Sequence, residues 1–426
     1  MDRPRRKYRI VFWGTYDLGK PRVRLLLAGA KARGMEVIEC HTDVWAGWED
    51  KSQLASVGSW WSRLLSWISA YPSLIWRYLR LPPHDVVIVS YLGQLDVLII
   101  SPFASLRGVP VVWDAFLSLY DTVVNDRRMV SRRSPVALFL YAVEWLACRA
   151  PAKVFLDTNA HARHFEKLFR LPADSIGRVF VGAETDIFFS ASGDLPYKNA
   201  ENTPFTVLFY AQFIPLHGIE TVIEAARIVE VSGEAVRWLV VGHGQEAEQI
   251  DLLLGHLRLK SVERVPWVPY SRLAESIRQA DVCLGIFGTS GKAASVIPNK
   301  VYQVLAAQRP LITADTPAIR ELLEEGPYVH FVPPGDAKSL ASAVLNMKAR
   351  KHTGMGTRCE RTSPPVIGPI EVGKQLEDIL VASAFSTLPK KKDRHHLEAT
   401  VRGPLVFSIP VKDLWKNFTR ALRKII

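Results

Sequence analysis

One rhythm in this chain constrains its fold more than anything else. Short apolar runs alternate with stretches of helical spacing, and the alternation runs twice. "YRIVFWG" is followed by the loop "TYDLGKP", the helical "RVRLLLAGAKARG" and a second apolar run, "MEVIECH". A strand joined to the next through a helix must lie parallel to it, because parallel pairing needs a long crossover. "DVVIVSY", "VPVVWDAF", "AKVFLDT" and "RVFVGAE" continue the series. After a polar, turn-rich segment it restarts with "FTVLFYA", "VRWLVVGHG", "VERVPWV", "DVCLGIFG" and "RPLITAD". The expectation is an α/β protein with domains at residues 1–190 and 205–350 and a linker at 191–204. A loop and returning helix at 351–383 and a basic tail at 384–426 complete it. Two such halves face each other across a cleft, and open α/β sheets bind ligands at the carboxyl ends of their strands.

Composition narrows the class. Apolar residues make up 48% of the 426, which excludes wholesale disorder. The four cysteines, Cys40, Cys148, Cys283 and Cys359, are far apart and form no CxxC pair, which suits a reducing compartment. The net charge of +12 is concentrated at the ends, +4 in residues 1–9 and +7 in residues 384–426. Basic ends suit nucleic acid or an anionic membrane surface. The basic residues do not interleave with aromatics across a domain, so nucleic acid is set aside as a partner. "YRIVFW" is too short for a signal-peptide core, and no run of about 18 apolar residues predicts a spanning helix.

Two stretches suit a membrane surface. In Ser59–Leu81, Trp60, Trp61, Leu64, Leu65 and Ile68 share one helical face, and three arginines accompany four tryptophans. In the tail, Val411, Leu414, Trp415, Phe418, Leu422 and Ile425 share a face that Lys412, Lys416, Arg420, Arg423 and Lys424 largely avoid. The alternative is packing in the core for the first and docking on the protein's own surface for the second. The expectation is a cytoplasmic protein held peripherally on the inner face of the cell membrane.

"SVIPNKVYQVLAA" carries the main chemical signal. Pro298 suits the first turn of a helix, where its missing N–H costs nothing. The free amides near Asn299 and the helix dipole favour an anion there. Lys300 lies in the same turn and Lys292 in the preceding loop "GTSGKAAS", so the two ammoniums can jointly hold a diphosphate. Gln303, one turn on, can reach a sugar hydroxyl. The competing reading is an exposed helix start with solvated lysines. Gly242 and Gly244 in "VVGHGQE" permit close backbone approach, although this is not GxGxxG. Walker, GxSxG and HExxH patterns are absent, as is a metal-binding DxD.

These pieces in this order resemble the retaining nucleotide-sugar glycosyltransferases of the GT-B fold, family four, over residues 8–382. The resemblance implies two Rossmann-like domains, a nucleoside-diphosphate sugar as co-substrate, and no cofactor or metal. Family members carry a Gly-Arg pair and a later Lys on the loop matching "AQFIPLHG", where this chain has Gln212 and His217. They carry two glutamates eight positions apart, where it has Ser295 and Gln303. His217 is then a neutral donor to a phosphate or hydroxyl, or a loop histidine capping a turn. The segment "VPWVPYSRLAESIRQADV" corresponds to the one that holds the nucleobase, placed near Val268 and Leu273, with Trp267 assigned to the core.

In the first half the resemblance brings the loop "GTYDLGKPRVR" to the donor phosphate and the acceptor. Gly14 allows close approach, and Tyr16 and Arg22 are the acceptor candidates. A solvated helix face is the alternative for Arg22 and Arg24. Asp114, at a strand end, is the candidate to orient an acceptor hydroxyl or act as base; a helix cap or turn residue is the alternative. Glu144, on an apolar helix, reads as a buried structural carboxylate. The expected function is retaining transfer of a sugar from a nucleoside-diphosphate donor to a saccharide or lipid-linked acceptor, in cell-surface polysaccharide or glycolipid assembly. Its rivals are a non-catalytic membrane-bound scaffold and a sugar-nucleotide epimerase.

Overall fold

The computed structural model describes residues 8–44, 57–189, 204–352 and 365–386. The basic N-terminal run, most of the linker, the loop after residue 352 and the tail with the apolar stripe read at residues 411–425 lie outside them, as do the side chains of Trp60, Trp61, Leu64, Leu65 and Ile68. The first domain runs β1 (Arg9–Gly14), α1 (Pro21–Ala32), β2 (Glu36–His41), α2 (Val57–Leu79), β3 (Val86–Val89), α3 (Gln94–Leu106) and β4 (Val111–Asp114). It continues with α4 (Pro135–Ala147), β5 (Lys153–Leu156), α5 (Asn159–Phe169), β6 (Ile176–Arg178) and the short α6 (Thr185–Phe188). The second runs β7 (Phe205–Gln212), α7 (Ile219–Val231), β8 (Val236–His243), α8 (Ala247–Leu257), β9 (Val262–Val265), α9 (Tyr270–Gln279) and β10 (Val282–Leu284). Then come α10 (Gly291–Ser295), α11 (Asn299–Ala306), β11 (Leu311–Ala314), β12 (Val329–Val332), α12 (Ala337–His352) and the returning α13 (Pro369–Ser386).

Both sheets are parallel and six-stranded, ordered β2-β1-β3-β4-β5-β6 and β12-β11-β10-β7-β8-β9. The runs "VVIV" and "VVWD" are buried on both faces, as strands covered by helices on each side must be. In the first domain, Leu74, Ile100, Tyr141 and Phe165 from α2 to α5 cover one face of the sheet. Val23 and Leu26 of α1 with Leu376 and Leu380 of α13 cover the other. The α1–α13 crossing is close: a Cβ at Gly373 would lie 2.1 Å from the Gly29 carbonyl oxygen. Arg33 pairs with Glu377 beside it at 2.7 Å. The last helix therefore completes the first domain after the chain has built the second.

Three local expectations change. "RVFVGAE" is paired in the sheet only at its start. Beyond Arg178 the Phe180 amide is taken by the Gln375 side chain and the Ala183 amide by the Ile367 carbonyl, so the chain leaves the sheet toward the second domain. "GTSGKAAS" is not a bare loop. Ser290 accepts from the Ala293 amide at 3.1 Å and caps α10. "DTVVND" (Asp121–Asp126), unassigned in the sequence, forms a π-helical turn after β4.

Candidate active site

The loops at the carboxyl ends of the two sheets meet, and the residues singled out in the sequence lie along that seam. Pro298 stands at the N-cap of α11, one position before the first turn, and Asn299 opens the helix. Lys300 turns inward instead of into solvent. Its Nζ donates to the Gly285 carbonyl at 2.7 Å and sits 4.1 Å from the centre of the Phe209 ring. Only 5% of the residue is exposed. No described carboxylate pairs with this ammonium, and burial pushes its pKa well below the usual lysine range. Lys292 points elsewhere. Its Nζ donates to the Thr122 hydroxyl of the first domain at 2.6 Å. Burial lowers its pKa, while Asp126 and Asp121 act in the opposite sense. The two lysines therefore do not share one partner, because one closes the domain seam and the other lies under the β10 loop.

His217 ends a 3-10 turn (Pro215–His217), and its Nδ1 bonds the Gln212 carbonyl. A carbonyl only accepts, so Nδ1 must carry the proton and Nε2 is left with its lone pair. Burial, then the charge of Lys300, hold the imidazole pKa down to about 3, and Arg127 and Lys292 add to the effect. The ring is therefore neutral at physiological pH, and Nε2 accepts. The expected donor role is reversed: His217 offers a site for a hydroxyl hydrogen and no hydrogen for a phosphate. The same three cations make the local potential positive.

Gln303 is tied into a chain of polar groups. The Tyr210 hydroxyl donates to its Oε1 at 3.0 Å, and its Nε2 donates to the Tyr270 hydroxyl at 3.2 Å. Tyr270 donates to Glu184 at 2.6 Å, and Glu184 holds Arg24 through two bonds of 2.7 and 2.9 Å. This chain runs from α11 across the seam to α1. One N–H and one lone pair of the amide remain for a ligand. Ser295 is also committed: its Oγ donates to the Lys292 carbonyl and its own carbonyl accepts from the Thr158 hydroxyl. Gln212 is exposed at the end of β7. Gly242 and Gly244 serve the protein's own backbone. A Cβ on Gly242 would meet the Ala211 carbonyl, and one on Gly244 the Phe213 amide. Val268 and Leu273 are half-buried against the second domain's core, whereas Trp267 is 66% exposed. The core assignment of Trp267 is therefore wrong, because β9 ends at Val265 and the indole projects from the turn that follows.

The first-domain candidates are enclosed. Arg22 donates to both oxygens of Asp114, at 3.0 and 2.9 Å, and to the carbonyls of Val179 and Phe180. Neither residue is more than 1% exposed. Burial raises the Asp114 pKa against the pull of Arg22. Asp114 thus reaches no substrate directly; it fixes the guanidinium that holds the inter-domain strand end. Arg22 is neither an acceptor ligand nor a solvated helix residue. Tyr16 is buried and stacked on His41 at 4.1 Å. The place of a Cβ on Gly14 is filled by the Asp96 carboxylate, which binds the Thr15 amide at 2.7 Å and the Tyr71 hydroxyl at 2.7 Å.

Ser290, Asp126 and Glu321 escaped the sequence reading, and Glu144 entered it only as a buried structural carboxylate. Ser290 bonds Asp126 at 3.0 Å. Glu321 accepts from the Asn159 and Ala160 amides at 2.8 and 2.7 Å, so a second-domain carboxylate caps a first-domain helix. Glu144 accepts from Gln94, Ser118, Leu119 and Tyr120, and so holds the turn leading into Asp121–Asp126. The one signal for these was a carboxylate stranded in the apolar "YAVEWLAC". Among the described residues, no group of three or more His, Cys, Asp or Glu could hold a metal ion.

Residues 204–349 match the model of the family described as glycosyl transferases group 1. The chain is 25% identical over 179 residues to the amylovoran biosynthesis glycosyltransferase AmsK of Erwinia amylovora, covering 41% of this chain and 42% of that protein. It is 30% identical over 142 residues to the phosphatidyl-myo-inositol mannosyltransferase of Mycobacterium leprae, covering 33% and 36%. The matched stretch thus spans about two-fifths of these relatives' lengths. Anabaena Alr3699/HepE, solved in complex with UDP and glucose, superposes with a TM-score of 0.60 at 13% identity, over 88% of this chain and all of that one. The sucrose-phosphate synthase of Thermosynechococcus elongatus gives 0.60 at 14%, over 97% of this chain and all of that one. At these identities the likeness is one of fold, the two-domain GT-B arrangement.

Proposed function

We propose that this chain, whose residues 204–349 form a group 1 glycosyltransferase domain within a GT-B fold, moves a sugar from a nucleoside diphosphate to an acceptor hydroxyl with retention. The setting is cell-surface polysaccharide or glycolipid assembly, and the acceptor is a saccharide or a lipid-linked saccharide. The observation that carries the reading is Lys300, a buried lysine at the start of α11 with no carboxylate partner among the described residues. Such a charge is costly unless an anion arrives. A diphosphate at the α11 amides would supply the missing counter-charge. It would also gain negative charge as the sugar leaves, so a site already positive favours the transition state over the ground state. Neutral His217 would accept a sugar hydroxyl through Nε2, and the spare amide capacity of Gln303 would take a ribose or sugar hydroxyl. Asp114 acts as a positioning residue through Arg22. Positive charge at the diphosphate would come from Lys300 and the α11 amides, without a metal. The enzyme would work at the cytoplasmic leaflet, held peripherally.

Calorimetric titration of UDP and GDP into wild type and Lys300→Ala tests this. One nucleotide should bind, and the variant should lose the affinity. Binding that is unchanged in Lys300→Ala refutes the role of Lys300. A scaffold reading draws on Ser295 and Gln303, which replace the family's two glutamates. Nucleotide binding with no transfer to any acceptor would favour it.

A further inference from the structure

The outer face of α3 and α4 is apolar and carries no exposed carboxylate. Leu106 is 83% exposed, Phe139 64% and Val136 52%, and the adjoining Met129 is 63% exposed. The neighbouring α2 adds Trp76 and Leu79, both more than half exposed, with the Arg80 guanidinium 3.5 Å from the Trp76 ring centre. These helices form one layer over one face of the first sheet. Residues 57–81, 94–108 and 127–150 contain only two acidic residues, Asp96 and Glu144, and both are buried. The loop between the π-helical turn and α4 reads "RRMVSRRS". In it Arg128, Arg132 and Arg133 are exposed, and none forms an ion pair with a described residue. This loop borders the candidate site: the Arg127 carbonyl accepts from Gln245 of the second domain, and Asp126 from Ser290.

We infer that this face docks on an anionic lipid bilayer, with Leu106, Val136 and Phe139 in the interface and the three arginines on lipid phosphates. The inference rests on the peripheral attachment proposed above and gives it a surface in the first domain. Charge decides between occupants. The segment 387–426 carries ten basic and three acidic residues, so it repels this face. A second copy would bring the same arginines against themselves. An anionic bilayer meets both demands, apolar depth and negative charge. It would also bring the rim of the site to the membrane plane, where a lipid-linked acceptor lies.

The test uses the full chain with Cys359→Ser. Cys40, Cys148 and Cys283 are buried, so a fluorophore on Phe139→Cys reports that position alone. Phosphatidylcholine vesicles containing phosphatidylglycerol should shift its emission to the blue, and pure phosphatidylcholine should do so far less. Replacing Arg128, Arg132 and Arg133 by Ala should weaken the partitioning about a hundredfold, at roughly a factor of five for each charge. All four positions are exposed, so folding is not at stake. A label that stays in water while the chain sediments with vesicles overturns the inference in favour of anchoring by another segment. A label shielded without vesicles, increasingly with protein concentration, overturns it in favour of self-association. No sedimentation overturns it outright. Titrating UDP and GDP into the same labelled protein keeps a failed docking surface separate from a failed donor site.

Discussion

Position 303 needs an amide. Tyr270 spends its only O–H on Glu184, so toward residue 303 it offers lone pairs alone. Tyr210 shares its O–H between the Gln303 Oε1 at 3.0 Å and the Lys300 carbonyl at 3.2 Å. Only a group that both accepts and donates fits between them. Gln303→Glu should therefore lose about 1–3 kcal/mol at neutral pH. The deficit in thermal midpoint should shrink in acid, where the new carboxyl regains a proton to donate; a pH-independent deficit would contradict the argument. Asp96 provides a second test. Burial pushes its pKa up to about 6 despite its bonds from Thr15 and Tyr71. The folded state therefore holds a proton that the unfolded chain releases near pH 4, and stability falls as pH rises through this window. The contribution is about 2–3 kcal/mol between roughly pH 4 and 6. Asp96→Asn should remove this slope from the variant's own curve, so its stability difference from wild type should change by about 2–3 kcal/mol across that interval, whatever the offset.

Among the elements, the π-helical turn at Asp121–Asp126 has the most to hold and the least propensity to hold it. Its first-domain anchor is Glu144, a carboxylate with hydrogen-bond donors on both oxygens and no described cation paired with it. Glu144→Gln keeps the shape but turns one acceptor oxygen into an N–H₂ group that confronts the Ser118, Leu119 or Tyr120 donors. Part of that loss is offset, because burial no longer opposes a charge. The expected cost is about 1–3 kcal/mol. Amide exchange at Leu119 and Tyr120 should accelerate more than exchange in β4. A uniform acceleration would mean that Glu144 stabilises the domain without organising the turn. Because Thr122 receives Lys292 and Asp126 receives Ser290, loosening this turn should also change how the domains meet.

At the scale of the whole molecule, beside the apolar packing of Phe116 and Ala160 on the second domain's core, polar contacts bridge the two domains. The Glu321 carboxylate on the first turn of α5 is the clearest of them. Its two charge-assisted bonds each contribute about 1.5–3 kcal/mol where formed. Glu321→Ala should shift the population toward separated domains at least tenfold, read as a larger radius of gyration in solution scattering and as faster exchange at Asn159 and Ala160. A nucleotide found to bind in the calorimetric titration should reverse part of it. An unchanged radius would show that the remaining seam contacts suffice.

The pattern of apolar runs was enough to determine the parallel sheets, the helix starting at Asn299 and the return of a last helix, because burial on both faces and helical spacing are written locally. The site was legible only as residue types. Lys292, Lys300, Gln303, His217 and Asp114 all lie at the carboxyl ends of the strands, as read. Their roles depend on partners far away in sequence: Asp114 is closed by Arg22, Gln303 is spent on two tyrosines, and the tautomer of His217 is set by a carbonyl. No single stretch of chain records that a side chain already has its hydrogen bonds. Only the tertiary structure decides which polar groups are satisfied within the protein and which, like Lys300, are buried without a counter-charge among the described residues.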